Sequence, residues 1–578
     1  MTILDLKNIS IDFPTSKGVV HAVTDISLSV GQGRRVGFIG ESGSGKTTTA
    51  LSAMRMLAAP GFVAAGEVHL NSLDNSDLLS LSDEEMRRVR LKKISYIPQG
   101  AMNSLNPVMR IAHQIWDGII AHEAGVSRED LQARSDRALA SVGLDPARVG
   151  PLFPHELSGG MKQRVCIAIG VCLKPDLIIA DEPTSALDVI TQRHVMQTLR
   201  DVQGDIGAGL ILIGHDMGLM AHSVDEIAVL KKGELVEFGP VRQIIESPNH
   251  PYTRELISSV PLVGGKSFLE PGPARPAPEV SPETSPLLEL RDVSKRYGAI
   301  TALHPMSFAL DAAVPKIISI VGQSGSGKST MGNLILGFTA PTTGALLFKG
   351  RDINRQSSAE ALSFRKEVQA VFQDPYACFN PFYRVNHALK LPFERFGLSE
   401  SADHTQTAME EACRAVGLAP ETVLGRYPHQ LSGGQRQRLI VARALMLSPK
   451  LLVADEPVSM VDASLRATIL KNIHDLKDRH GISVLYITHD LATAYHVSDF
   501  VMVLYKGHIV EAGPPAQAIG NPQHPYTKLL ISSIPWPDLD RDWGSAEEGQ
   551  AALAALEDGA QTEPILRGTI PGFSLDMS

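Results

Sequence analysis

"RVGFIGESGSGKTTTALSAMRML" (Arg35–Leu57) decides the fold, because a short apolar run feeds a glycine-rich loop and then a helical stretch. The glycines let the backbone curl so that successive N–H groups face one point, and the next helix adds its positive N-terminus. G-x-x-x-x-G-K-[ST] is a pattern that cradles a polyphosphate. Gly40, Ser42, Gly43, Ser44 and Gly45 make the loop, Lys46 reaches the β/γ-phosphates, the Thr47 hydroxyl suits Mg²⁺, and Thr48 continues into the helix. The arrangement recurs in "IISIVGQSGSGKSTMGNLILGF" (Ile317–Phe338), with Gly322, Ser324, Gly325, Ser326, Gly327, Lys328, Ser329 and Thr330 in the same places. One such loop also reads as a plain glycine-rich turn. Two, each between an apolar strand and a helix, weaken that reading.

Working outward, the chain repeats itself. "HPYTRELISSVP" begins at His250 and "HPYTKLLISSIP" at His524, 274 positions on. Gln99 and Gln373, Ser158 and Ser432, Asp181 and Asp455, and His215 and His489 share that offset, whereas Lys46 and Lys328 are 282 apart. Length therefore varies between loop and glutamine and is rigid afterwards. Two copies of one unit explain this. They span 1–262 and 287–536, joined by a proline-rich linker (263–286) and followed by an acidic tail (537–578). Within each copy, short alternating segments precede apolar strands that alternate with helical stretches. That order predicts an α/β fold with a mainly parallel sheet and helices on both faces.

Bulk composition narrows the classes. At 578 residues the chain is too long for one core. No run approaches the roughly 18 apolar residues of a membrane span, and "MTILDLKNISIDF" does not read as a secretory signal. Cys166, Cys172, Cys378 and Cys413 lack C-x-x-C spacing, so reduced thiols are expected, the first two buried. The formal charge is −9, of which the tail carries most. An acidic balance argues against a nucleic-acid surface. The tail reads as a solvated, mobile extension with one short helix around "AALAALED".

Four further features carry chemistry. "IIADEP" and "LVADEP" set two carboxylates at the C-terminal end of an apolar strand, where open α/β sheets hold ligands. Asp181 and Asp455 suit an Mg²⁺ shell, and Glu182 and Glu456 suit the orientation or deprotonation of a water; as an alternative, these acids cap the next helix. His215 and His489, each 34 residues behind the Asp, read as γ-phosphate contacts or as structural histidines. Gln99 and Gln373 follow apolar strands; unsupported, each is a surface amide. "LSGGM" (Leu157–Met161) and "LSGGQ" (Leu431–Gln435) form a second anion-ready helix start in each copy. A copy that already owns a phosphate loop has use for such a site if it serves the nucleotide of the other copy.

In this order of motifs the sequence resembles the ATP-binding cassette ATPases over both halves. The resemblance implies two tandem P-loop cassettes, each a RecA-like core with an antiparallel β subdomain and a helical subdomain (inserts about 100–157 and 374–431). It implies two ATP molecules held head to tail between cassettes that pair within one chain. One site would join Lys46, Thr47, Gln99, Asp181, Glu182 and His215 to Ser432 and Gly434. The other would join Lys328, Ser329, Gln373, Asp455, Glu456 and His489 to Ser158 and Gly160. The Mg²⁺ ligands would be Thr47, Gln99 and Asp181, and Ser329, Gln373 and Asp455. Phe13 and Tyr297 match the family's adenine-stacking aromatic, or are core-facing strand aromatics. "SALD" (Ser185–Asp188) matches the family's interface loop, and "SMVD" (Ser459–Asp462) keeps only its ends. With a glutamate in each half, both sites are expected to hydrolyse ATP.

The "HPYT" segments, with "LNP" (Leu105–Pro107) and "FNP" (Phe379–Pro381), resemble the oligopeptide/dipeptide importer branch, fused as in glutathione-type and Yej-type importers. That implies two multi-span permease subunits, an extracytoplasmic solute-binding protein, no nucleic acid, and a place on the cytoplasmic face of the inner membrane. Many members carry an iron–sulfur cysteine cluster after HPYT. With no cysteine beyond Cys413, none is expected here. The rival reading is a soluble double cassette acting on ribosomes, against which stand the proline-rich linker, the acidic balance and both histidines. The substrate is not legible.

Overall fold

The computed structural model describes residues 1–15, 18–73, 76–100, 104–185, 187–260, 263–264, 285–372, 377–458, 463–541, 543–544, 546–558 and 564–576. The chain divides into two compact units, Met1–Val260 with Ser533–Glu548, and Pro261–Ser532 with Gly549–Ser578. Among the described residues, no helix is long and apolar enough to cross a membrane.

In the first unit a six-stranded sheet runs β10-β9-β3-β8-β7-β6. Its strands are β3 (Arg35–Ile39), β6 (Ile94–Ile97), β7 (Leu177–Asp181), β8 (Gly209–Gly214), β9 (Glu226–Lys231) and β10 (Glu234–Pro240). All pair in parallel except β10 with β9. β7 and β8 are buried along their whole length. Continuous apolar runs such as "LIIA" and "LILI" are what a parallel strand covered on both faces requires.

A second sheet, β2-β1-β4-β5, is antiparallel, with β1 (Thr2–Thr15), β2 (Gly18–Gly31), β4 (Phe62–Leu70) and β5 (Ser76–Asp77). Along β2, Ile26, Leu28 and Val30 are buried while Ser27 and Ser29 between them are exposed. That alternation is the period-2 signature of a sheet with one wet face. The helices Ile111–Ile120, Arg128–Ser141 and Gly159–Val171 pack on one another between β6 and β7 in the chain.

The second unit repeats the plan. Strands β16 (Val368–Val371), β17 (Leu451–Asp455), β18 (Ser483–Thr488), β13 (Ile317–Val321), β19 (Phe500–Tyr505) and β20 (His508–Gly513) form its main sheet, in that order. Its antiparallel sheet holds β11 (Leu288–Tyr297), β12 (Ile300–Leu310), β14 (Thr343–Phe348) and β15 (Arg351–Asp352).

The tail departs from expectation. It is solvated along much of its described length but packed at a few points. In the first unit Trp543 is 8% exposed within the core, and its indole N–H donates to Ser533 O at 2.9 Å. Arg193 donates to Trp543 O (3.1 Å), and His222 Nε2 lies 2.7 Å from Trp536 O. Gly218 permits this approach, since a Cβ there would sit 1.9 Å from Pro535 O. Further on, β21 (Ile565–Leu566) pairs with β20, and β22 (Phe573–Asp576) pairs with β12, its Phe573 ring against Phe308 and Phe500. The helix around "AALAALED" runs Ala546–Asp558. The acidic count concealed two aromatic anchors, Trp543 and Phe573, whose burial fastens the segment.

Candidate functional site

β3 ends at Ile39 and the chain turns through Gly40 at φ +154°, where a Cβ would meet Leu230 O at 2.2 Å. Only glycine fits there. The loop then enters the helix Lys46–Ser52 through Gly45, left-handed at φ +96°, with no side-chain cap on the helix start. Those N–H groups are left for a ligand. The buried Lys46 ammonium donates to Gly40 O (2.7 Å) and Glu41 O (2.8 Å).

β7 carries Asp181 to the same end of the sheet. Its Oδ1 accepts from the Thr47 hydroxyl at 3.2 Å and its Oδ2 from the Tyr96 hydroxyl at 3.0 Å. A hydroxyl and a carboxylate oxygen converging on one point suit a hard divalent cation. Glu182 follows in the left-handed region (φ 42°), its N–H donating to Ile213 O at 2.9 Å. A non-glycine residue there is strained. Its carboxylate gathers Gln99 Nε2 (2.8 Å), the Ser185 hydroxyl (2.7 Å) and His215 Nδ1 (3.2 Å). Burial works against the charge of Glu182, but His215, Ser185 and Lys46 outweigh it and hold the carboxyl at about 2. Glu182 is thus a fixed carboxylate rather than an acid at neutral pH. Asp181 is raised, by burial first, against the opposing hydroxyls of Tyr96 and Thr47.

The second unit builds the same centre. Gly322 takes φ +155° and Gly327 φ +106°, and Lys328 donates to Gly322 O (2.7 Å) and Gln323 O (2.8 Å). Glu456 is left-handed (φ 48°), with its carboxylate 2.8 Å from His489 Nδ1. Burial opposes both charges, yet the pairing prevails, lowering Glu456 and raising His489. Asp455 is pushed up to about 6 by burial and then by Glu456, against Lys328 and Ser329.

The other sequence candidates fall elsewhere. Ser158 caps the helix Gly159–Val171 by accepting from Met161 N, and Gly160 leaves no room for a Cβ, which would lie 2.5 Å from Thr191 Cγ2. Ser432 caps Gly433–Leu445, which contains Gly434, and is joined there by Gln435 in a reciprocal capping box. Phe13 is partly buried against the first core, with Gly61 directly beside its ring; Tyr297 is 50% exposed, with the Lys295 ammonium 5.1 Å from its ring centre. Ser42, Gly43, Ser324 and Gly325 form the exposed crests of the two loops, while Ser44 and Ser326 are buried beneath them. Thr48 and Thr330 are half-buried in the first helical turn. Gln373, the "SMVD" segment Ser459–Asp462 and linker residues 265–284 lie outside the described residues.

Sequence reasoning missed Tyr96, whose counterpart in the repeat is Ala370, so that the repeat carries no signal for it. It also missed Tyr252 and Tyr526, although the repetition of HPYT was the signal. Tyr252 OH accepts from Glu41 N at 3.0 Å, and Tyr526 OH from Gln323 N at 2.9 Å. Cys166 is buried and Cys172 partly so, and burial pushes both thiols up to about 12.

Comparison with known proteins places both units in one family. The family described as ABC transporter matches residues 23–185 and 303–459. The family described as Oligopeptide/dipeptide transporter, C-terminal region, matches 236–281 and 510–560. The glutathione import ATP-binding protein of Escherichia coli (strain K12) is 37% identical over 93% of this chain and 90% of its own length. That of Salmonella typhimurium (strain LT2) is 38% identical with the same coverage. Among solved structures, a dimeric ATP-binding cassette bound to ADP and Pi is 28% identical, over 42% of this chain and 99% of that one, with a TM-score of 0.37.

Proposed function

Because the chain belongs to the ABC transporter family, as one of its ATP-hydrolysing subunits, we propose that it powers a binding-protein-dependent importer of peptides or peptide-like solutes through two composite ATP sites. The observation that carries this is the doubled constellation of lysine, aspartate, glutamate and histidine, each copy followed by an HPYT segment. The relatives are named as import subunits, which gives the ribosome-associated reading no support.

Each glycine loop and uncapped helix start binds the phosphates of one ATP, and Lys46 or Lys328, held by the first loop carbonyl, turns its ammonium toward the β/γ-oxygens. Glu182 and Glu456, ionised, orient a water and draw its proton, while His215 and His489 hold the glutamates in place and face the γ-phosphate. Gln99 and Gln373 position the water or the metal shell. Mg²⁺ held by Thr47 and Asp181, or by Ser329 and Asp455, would neutralise charge on the phosphates. Ser432 with Gly434, and Ser158 with Gly160, complete the opposite sites, and Tyr297 stacks the adenine in its own. Closure on two ATPs and release after hydrolysis form the switch.

The partners are two multi-span permease subunits, which hold the chain at the cytoplasmic face of the inner membrane, and through them a solute-binding protein. Val108 and Phe382, immediately after "LNP" and "FNP", support this, being 83% and 85% exposed at equivalent positions. Large apolar side chains exposed at the same point of both repeats are what a permease helix would cover. The test is to purify the tagged chain from gently solubilised membranes. Two multi-span subunits are expected to co-purify, and Val108→Asp with Phe382→Asp to lose them. Ribosomes in their place would overturn the transport assignment.

A further inference from the structure

The HPYT segments have no part in the chemistry above, yet both copies deliver a buried tyrosine hydroxyl to the phosphate loop. Tyr252 and Tyr526 are 3% and 0% exposed. Each hydroxyl accepts from the backbone N–H of the residue after the first loop glycine, Glu41 at 3.0 Å and Gln323 at 2.9 Å. That N–H belongs to the same planar peptide unit as the Gly40 or Gly322 carbonyl. The carbonyl, in turn, accepts from Lys46 or Lys328 at 2.7 Å. One peptide plane is therefore gripped at both ends, by tyrosine on its N–H side and by the phosphate-binding lysine on its C=O side.

The rest of the motif serves to aim the tyrosine. His250 Nδ1 accepts from Tyr252 N (3.1 Å), while Glu237 of β10 accepts from Asn249 N (2.7 Å) and His250 N (3.1 Å). In the second unit His524 Nδ1 accepts from Tyr526 N (3.1 Å), and Glu511 of β20 accepts from Gln523 N (2.9 Å) and His524 N (3.1 Å). Two differences between the copies isolate what is shared. The loops are offset by 282 residues and the HPYT segments by 274, so the contact survives a change in the chain between its ends. The rings sit in different surroundings: the Lys231 ammonium lies 4.3 Å from the Tyr252 ring centre, whereas the Tyr505 ring lies 4.3 Å from that of Tyr526. Packing has changed and the hydroxyl bond has not.

We propose that Tyr252 and Tyr526 are positioning residues for ATP binding, fixing the first peptide of each phosphate loop and through it the lysine. This rests on the ATP-binding reading and goes beyond it, by giving the HPYT segment a task at the nucleotide.

The full chain carrying Tyr252→Phe, Tyr526→Phe or both keeps the rings and loses only the hydroxyls. A lost hydrogen bond of this kind is expected to raise KM and Kd for ATP about fivefold at the altered site, with kcat within about twofold. Melting without nucleotide should shift by less than about 2 °C. Wild-type affinity in the double variant would overturn the proposal. So would equal losses of kcat and of nucleotide-free melting temperature, which would mark the hydroxyl as purely structural. A wild-type chain unable to bind ATP would overturn the ATP reading and this inference together.

Discussion

The two repeated centres hold the same aspartate differently. In the first unit Asp181 accepts from Thr47 and also from Tyr96, whereas Ala370 stands at the tyrosine's place in the second and Asp455 is pushed up to about 6. A carboxylate at the end of a buried strand is costly, and each hydrogen bond to its charged form offsets part of that cost. The glutamates one residue on are alike, both held low by their histidines. The glutamate–histidine pair is therefore alike in the two copies, while the surroundings of the preceding aspartate differ.

The largest effect should come from testing that symmetry. Glu182→Gln and Glu456→Gln, made separately, are each expected to lower ATP turnover of the chain at least about tenfold, since a positioned base contributes roughly 10²–10⁴ at its site. Near-full turnover in either variant would break the equivalence of the two centres. Next is the tail, which groups partly with one unit and partly with the other. Trp543→Ala should cost the first unit about 3 kcal/mol, seen calorimetrically as one transition moving down while another stays. A uniform shift would show that the tail stabilises both alike.

The aspartates give a smaller contrast with a definite sign. A folded-state value of about 6 against an ordinary 3.8 means that the fold disfavours the charge of Asp455, so this group destabilises the protein above pH 6 and ceases to do so as the pH falls through that window. Asp455→Asn should therefore stabilise the metal-free second unit by about 1–2 kcal/mol at pH 7, discounting for partial exposure, and by almost nothing near pH 4. Asp181→Asn should gain less, because the Tyr96 hydroxyl already supports its charge. Equal gains would remove the role given to Tyr96. Smallest of all, Met161→Gln should complete in the first unit the capping box that Gln435 makes in the second, adding about 0.5 kcal/mol.

Much of each centre was legible because its parts are local. A glycine loop, an Asp-Glu pair closing "LIIA" and a histidine closing "LILIG" are each tied to the C-terminal end of an apolar strand. Parallel pairing brings those ends together whatever the loops between them do. The tail was misread for the opposite reason. Its charges are frequent and its anchors Trp543 and Phe573 are sparse, and no period reveals that sparse aromatics have receptors elsewhere.

By itself the sequence determined two tandem units, their parallel sheets and the residue types at the phosphate end of each, since strand period, glycine loops and matched spacing act within a few turns of chain. Only the tertiary structure decided that Tyr252 reaches Glu41 across 211 residues, that Tyr96 supports Asp181 across 85, and that Arg193 holds Trp543 across 350. Those bonds depend on which buried surfaces meet and in what register, and a donor that must find an acceptor after the water is gone leaves no trace in local pattern.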